Sequence, residues 1–297
     1  MKHTSYIWVL LFGLFSFANI YAISIVYNLR IAQVTKQPIF ENRENRNHTI
    51  IGLLFDQYQK KYHGVRQNFV GALAAFIYDF KSCYFRIDCA ASHINERTGT
   101  TTTFSGTEID DILFTAGYNF KINNRALLTL SGLFGAPTHK ISSLQHVSFG
   151  YGQVGAGIQL DGSYSLNHIS TFLYAARYIH FIPRNAQDDL GKNYQFTIGN
   201  LGDVLVACKN NWTKHGLEFG YTARTDFGAH VWPNFDELVT KTNYQRSNFY
   251  MVYKYNFLIN NVANRLLFNI AYGFDHKPKI FGNKYIVTLW AAWKISF

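Results

Sequence analysis

The chain ends on the stretch Lys284-Tyr-Ile-Val-Thr-Leu-Trp-Ala-Ala-Trp-Lys-Ile-Ser-Phe297, which decides the fold class. Counting back by twos from the last residue gives only apolar or aromatic side chains, namely Phe297, Ile295, Trp293, Ala291, Leu289, Val287 and Tyr285. The residues between them are more mixed and include the charged Lys294. Because successive side chains of a strand point to opposite faces, this period of two predicts a β-strand with one apolar face.

A C-terminal strand that ends on phenylalanine resembles the closing strand of bacterial outer-membrane β-barrels. In that family the terminal aromatic strand is the assembly signal, so the resemblance implies this role for Phe297, Ile295 and Trp293. It also implies three partners: outer-membrane lipid, lipopolysaccharide and the barrel-assembly machinery. On this feature alone, the alternative is the last edge strand of a soluble β-sandwich.

The N-terminus has the order of a secretory signal peptide. A short basic region, 1–6, precedes an apolar core over 7–17, and the small residues Ala18 and Ala22 follow. A core of about eleven residues is shorter than the roughly 20 needed to span a bilayer as a helix. We therefore predict a signal peptide over 1–22, cleaved near Ala18 or Ala22, and location in the bacterial outer membrane.

The composition differs from that of an ordinary secreted protein. Charged residues make up 15% of the chain, against about 25% in typical soluble domains. Aromatic residues make up 17%, yet no second stretch reaches the length of a membrane-spanning helix. Many aromatics without long apolar runs favour strands that face lipid on one side and water on the other.

Strand-like segments recur at a steady spacing along the chain. We predict twelve of them, at approximately 49–58, 67–80, 84–93, 108–122, 125–136, 147–160, 170–182, 194–208, 215–227, 246–259, 265–275 and 284–297. The predicted fold is all-β, a single transmembrane antiparallel barrel of about 12 strands over 49–297. Segments 67–80 and 125–136 alternate poorly, so their faces stay unassigned. The polar segment 23–48 is either a flexible tail or a segment that enters the lumen.

The predicted connections alternate in length, as in outer-membrane barrels, whose short turns face the periplasm. The short ones are rich in asparagine and lie at Lys81–Cys83, Asn123–Asn124 and Asn260–Asn264. The long ones lie near 94–107, 137–146, 183–193, 228–245 and 276–283. An even number of strands places both ends of the barrel on the rim of the short turns.

The chain is basic, with a formal net charge of +10 and a pI near 9.4. An exported chain without a basic helix is not a nucleic-acid binder, so the charge favours lipopolysaccharide phosphates. The strand phases place ten charged residues inward, as lumen-lining candidates: Arg86, Asp88, Asp111, Lys121, Arg177, Glu218, Arg224, Lys254, Asp275 and Lys294. Six are positive and four negative, so they either line a channel that modestly favours anions or pair with one another and fill the lumen.

No motif points to a cofactor, a metal site or catalysis. Cys83, Cys89 and Cys208 contain no C-x-x-C pair, and we predict that all three are unpaired. Two His-x-Ser pairs, His146-Val-Ser148 and His168-Ile-Ser170, resemble part of the motif of outer-membrane phospholipases. Neither is followed by Asn at that family's spacing, and the rest of the motif is absent.

The sequence therefore predicts a non-enzymatic outer-membrane protein that acts as a small-solute pore or as a structural surface protein. Two alternatives stay open. One is an autotransporter-type translocator barrel, although no passenger domain lies between the signal peptide and the first strand. The other is a lipid-modifying enzyme of the phospholipase kind.

Overall fold

The computed structural model describes residues 47–60, 66–80, 82–98, 101–109, 111–138, 153–182, 184–187, 193–196, 200–227, 244–260, 262–277 and 283–296. These residues form fifteen strands: β1 (Asn47–Lys60), β2 (Arg66–Phe80), β3 (Cys83–Thr98), β4 (Thr101–Ile109), β5 (Ile112–Lys121), β6 (Ala126–Ala136), β7 (Gly155–Ser165), β8 (Ser170–Phe181), β9 (Arg184–Gln187), β10 (Asn193–Phe196), β11 (Asn200–Asn211), β12 (His215–Phe227), β13 (Tyr244–Ile259), β14 (Val262–Lys277) and β15 (Asn283–Ser296). Over the same ranges, no helix has the length and apolarity to cross a bilayer.

The large sheet closes on itself. Each strand pairs antiparallel with its neighbour, the first strand β1 pairs with the last strand β15, and β2 pairs with β3 to complete the ring. Strands β4 and β5 both lie along the same edge of β3, so together they occupy one position in the wall. The wall therefore has twelve positions, which confirms the predicted twelve-stranded antiparallel barrel.

Three predicted boundaries are wrong. The strand predicted at 147–160 is β7, which begins at Gly155 and continues to Ser165. The other two errors lie in connections. The predicted loop 94–107 is instead paired, because β3 and β4 continue as a hairpin up to Thr98 opposite Thr101. The predicted strand 194–208 begins only at Asn200, because 193–196 pairs with 184–187 in a separate two-stranded sheet. Both hairpins are polar, so the apolar alternation that marks the wall strands is missing there.

The barrel has one rim of short turns, here called the turn rim, and an opposite loop rim. Asparagine shapes the turns: the Asn123 side-chain oxygen accepts hydrogen bonds from the backbone N–H groups of Arg125 and Ala126, each at 2.8 Å. Asn167 repeats this geometry with Ile169 and Ser170, at the same distances. Asn260 adopts a left-handed φ of 50°, which asparagine tolerates better than most residues.

The two faces of the wall follow the period of two. In β15 the outward residues Leu289 and Trp293 are exposed, whereas the inward residues Ile286, Trp290 and Ala292 are buried. Ile295 shares the outward phase of Trp293, and Phe297 lies outside the described residues. The apolar outward face is the surface that a lipid bilayer would cover.

Polar side chains on the outward face are bonded to one another. The Trp293 indole N–H donates to Asn264 at 2.8 Å, and the His215 ring lies 2.6 Å from the Tyr253 hydroxyl. On β12, β13 and β14, a three-residue group meets near the loop rim. There the Ser247 hydroxyl lies 2.8 Å from both the Tyr221 hydroxyl and His276 Nε2. Such pairing removes the cost of placing a lone polar group against hydrocarbon.

Candidate functional site

The inward face combines an apolar wall with buried charge. Leucine, isoleucine and alanine side chains from most of the wall strands form one cluster, among them Leu113, Leu173, Ile179 and Leu205. Seven carboxylates and five bases are buried with them: Asp56, Asp88, Asp111, Asp161, Asp203, Glu218, Asp275, Arg86, Arg177, Lys209, Arg224 and Lys254. This concentration of buried charge marks the inward face as the candidate functional site, because charged side chains are seldom fully buried in proteins.

The ten inward candidates from the sequence fall into three groups. Eight are buried: Arg86, Asp88, Asp111, Arg177, Glu218, Arg224, Lys254 and Asp275. Lys294 is half-buried, and Lys121 is exposed where β5 ends at the turn rim. A role for any of them in lining a conducting path stays a prediction.

The structure brings two pairs of these candidates together. Arg86 Nε lies 2.8 Å from both carboxylate oxygens of Asp88, two residues further along β3. The Lys254 ammonium donates to Glu218 from the neighbouring strand. Both pairs join opposite charges directly, as buried charges require.

Glu218 is the most heavily bonded of the candidates. Besides the ammonium of Lys254, its carboxylate accepts a hydrogen bond of 2.9 Å from the Tyr250 hydroxyl. Lys209 lies directly opposite Glu218 on β11 and is itself buried. This acid is therefore bonded to one base and to a phenol, a charge-assisted arrangement that holds these side chains in place, with a second base at the facing position of β11.

Three more polar residues extend the candidates into a row across the wall. Arg177 Nε donates to Asp203 at 2.9 Å, and Arg246 Nε donates to Asp275 at 2.7 Å. Six residues on neighbouring strands lie directly opposite one another in turn, and we call them the charged row. They are Gln159, Arg177, Asp203, Arg224, Arg246 and Asp275, on β7, β8, β11, β12, β13 and β14. Sequence reasoning missed Asp203, Arg246 and Lys209, although Asp203 and Lys209 share a phase opposite the apolar Val204 and Val206.

Large rings lie flat along the inner wall over glycines. A Cβ at Gly220 would stand 2.2 Å from the Tyr250 ring, and a Cβ at Gly117 would stand 2.3 Å from the Tyr84 ring. The Tyr84 hydroxyl then reaches Ser131 at 2.7 Å. Because the glycines leave room, these aromatic side chains stay against the wall instead of projecting toward the barrel axis.

Near the loop rim, side chains from distant strands meet. The guanidinium carbon of Arg246 on β13 lies 5.8 Å from the centre of the Tyr58 ring on β1, although β14 and β15 separate these strands. Tyr58 packs edge-on against Phe69 at 5.1 Å, and both are buried. Asp56, two residues before Tyr58, is buried beside them.

The other chemical candidates are the three cysteines and the two His-x-Ser pairs. All three cysteines are free, as predicted. Ser170 donates its hydroxyl to Asn210 at 2.7 Å, and the pair His146 and Ser148 lies outside the described residues. Among the residues that the structure describes, no group of three or more His, Cys, Asp or Glu side chains could hold a metal ion.

Comparison with known proteins shows that the chain is similar in fold to solved structures. No family model and no curated protein matches the chain. Among solved structures, it is similar to an outer-membrane channel from Pseudomonas putida, with a TM-score of 0.68 and 11% identity over 89% of this chain and 100% of that one. It is also similar to the translocator domain of the autotransporter NalP from Neisseria meningitidis, with a TM-score of 0.54 and 13% identity over 94% of this chain and 100% of that one. The fold is that of the bacterial outer-membrane β-barrels, without assignment to a subfamily.

Proposed function

We propose that the protein is a non-enzymatic channel of the bacterial outer membrane that admits small solutes through a narrow lumen. The observation that carries this proposal is the charged row, which crosses six wall positions inside the barrel. A buried ion pair adds little or no stability over apolar side chains of similar volume. Leu173 and Leu205 on the same strands are such side chains, so stable packing of the wall does not require the charged row. A polar path for solutes does require polar side chains along the lumen.

The location follows from the outward face and the rims. An apolar outward face fits a bilayer, and short turns on the rim that carries both ends of the barrel fit a periplasmic turn rim. The loop rim then faces the outside of the cell. Lipopolysaccharide as the outer lipid contact and the barrel-assembly machinery as the assembly partner belong to the same proposal.

We propose that the ion preference of the channel is weak. The buried carboxylates outnumber the buried bases by seven to five, while Arg246, Arg265 and Lys294 add half-buried positive charge on the inward phase. The inward charges are therefore close to balance, so the modest preference for anions expected from the sequence depends on which charges face the path. Reversal potentials in a salt gradient measure that preference directly.

Single-channel recording on refolded protein in planar bilayers tests the channel, with discrete conductance steps as the expected result. Gly220→Ala should lower the conductance, because the added methyl group displaces the Tyr250 ring toward the axis. Gly132→Ala is the control on the outward face, since a Cβ there would meet no heavy atom within 4 Å. A folded barrel that never conducts would contradict the proposal and favour a structural role.

The translocator role remains the second candidate, supported by the likeness in fold to the NalP domain. A translocator must pass a polypeptide through its lumen, whereas Arg246 and Tyr58 meet here from strands three positions apart. Fusion of a reporter peptide ahead of β1 distinguishes the two roles. Surface display of the reporter would favour the translocator, and its retention in the periplasm would favour the channel.

A further inference from the structure

We propose that the loop-rim end of the lumen holds a binding site for the cationic group of a small solute, formed by Asp56, Tyr58 and Phe69 and covered by Arg246. We call Asp56, Tyr58 and Phe69 the acid pocket. Its part in transport rests on the proposed channel, whereas its binding of a cation is measurable without conductance.

Arg246 faces this pocket from the inward phase of β13, opposite an irregularity in the neighbouring strand β14. The pairing of β13 with β14 shifts register between Gln245 and Arg246, so that His276 is the extra residue on β14, and such a bulge bends the strand that carries it. From there Arg246 Nε donates to Asp275 at 2.7 Å, and the guanidinium lies over the Tyr58 ring at 5.8 Å. A cation over an aromatic face is a stabilising arrangement.

The acid pocket has acceptor capacity left over. Asp56 is 2% exposed, and its carboxylate interacts with the hydroxyl groups of Thr288 and Tyr58. Its Oδ1 atom, however, has no hydrogen-bond partner within the part of the chain that the structure describes. A buried acceptor without a donor is costly, so a ligand that supplies an N–H group there gains the bond and relieves that cost.

The chemistry of the pocket selects the ligand class. A carboxylate beside the face of a buried tyrosine suits an ammonium or guanidinium group, because the carboxylate accepts its N–H groups and the ring face attracts its charge. The Arg246 guanidinium already occupies the space over Tyr58, so it stands in for the guest. Asp275 provides Arg246 with a second carboxylate. The Arg246 side chain can therefore move away from the acid pocket and still be paired with Asp275.

This geometry makes Arg246 a competitor of the solute. Removing the Asp56 charge should weaken the binding of a cation, and removing the Arg246 charge should strengthen it. If cations were attracted only by the diffuse charge of an exposed surface, removing the Arg246 charge would change their affinity little, because exposed charges are screened by salt.

The test uses methylguanidinium and its neutral analogue N-methylurea, titrated into the refolded full-length barrel in detergent and followed by calorimetry. We expect methylguanidinium to bind and N-methylurea not to bind. Asp56→Asn should lower the affinity about tenfold, as expected for one charge-assisted bond, and Arg246→Gln should raise it. Arg265→Gln is the control, because Arg265 bonds to Asn256 near the turn rim and should leave the affinity unchanged. The mobility of unboiled samples on a gel reports that each variant is folded.

The outcomes separate the site from the channel. Equal binding of both probes, an unchanged affinity in Asp56→Asn or a weaker affinity in Arg246→Gln would overturn the acid pocket. Binding that follows the expected order in a barrel without conductance would support the pocket and remove the channel proposal. A conducting barrel that binds neither probe would keep the channel and remove the pocket.

Discussion

The outward and inward faces of the wall differ in what their side chains require. On β13 the outward Phe249, Met251 and Tyr253 are between 37% and 55% exposed and need only an apolar surrounding. The inward Tyr250 and Lys254 are buried and each bonds to the same carboxylate on the neighbouring strand. The apolar residues of the outward face therefore depend only on residue type, whereas the inward face depends on particular partners. A substitution should be tolerated or not according to the face on which it falls.

The largest expected effect is on assembly. Deletion of Phe297 should remove most of the folded protein from the outer membrane, because the resemblance to outer-membrane barrels implies that this residue is part of the assembly signal. Ser296→Ala is the inward control: it loses only the contact of 2.9 Å with His48 and should assemble normally. Quantification of unboiled protein in membrane fractions measures both. Normal levels of the deletion variant would show that assembly does not depend on Phe297.

The next effect should come from breaking an inward pair. Asp88→Ala removes the carboxylate that accepts from Arg86 and leaves a guanidinium in a buried position. We expect a loss of about 3–5 kcal/mol in the free energy of unfolding, measured by urea titration in lipid vesicles. The double variant Arg86→Met with Asp88→Leu removes both charges and should unfold close to the wild type. A loss below about 1 kcal/mol for Asp88→Ala would show that water solvates this pair, as at an exposed surface.

A charge on the outward face should cost somewhat less. Leu289→Arg places a guanidinium in the middle of the outward face of β15, where Leu289 is exposed. For a lipid-facing arginine near the bilayer centre, we expect a loss of about 2–4 kcal/mol. Gln59→Arg lies on the outward phase close to the loop rim and should cost at most about 1 kcal/mol. Equal effects at both positions would contradict the placement of the bilayer around this face.

The same difference between the faces explains which features the sequence predicts. The phases of 246–259, 265–275 and 284–297 are readable because an inward set that contains the charged side chains alternates with an apolar outward set. In β2 the inward residues Leu73 and Ala75 are as apolar as the outward Val70 and Phe76, so the contrast disappears. β6 is harder to read because its inward face carries Leu127 and Leu133 as well as the polar Thr129 and Ser131.

Partners on the inward face are harder to predict than phases. Arg177 bonds to Asp203 across a connection that contains the β9–β10 hairpin, and only the register of β8 with β11 brings them opposite one another. Arg246 depends on the register shift beside Gln245. A register follows from the pairing of whole strands and from the length of their connections, and neither is contained in the period of two.

The smallest expected effect tests whether a polar group on the outward face also depends on its partners. Ser247 is buried on the outward phase of β13, and its hydroxyl joins Tyr221 and His276. Ser247→Ala leaves both partners beside a methyl group, but they lie near the loop rim, where water or lipid headgroups can replace the lost bonds. We therefore expect a loss of about 1 kcal/mol, the ordinary contribution of a hydrogen bond, in the same urea titration. Tyr221→Phe should cost no more, because it removes one of the two contacts. A loss as large as that of Asp88→Ala would mean that this group lies within the hydrocarbon region, and that the outward face also depends on particular partners.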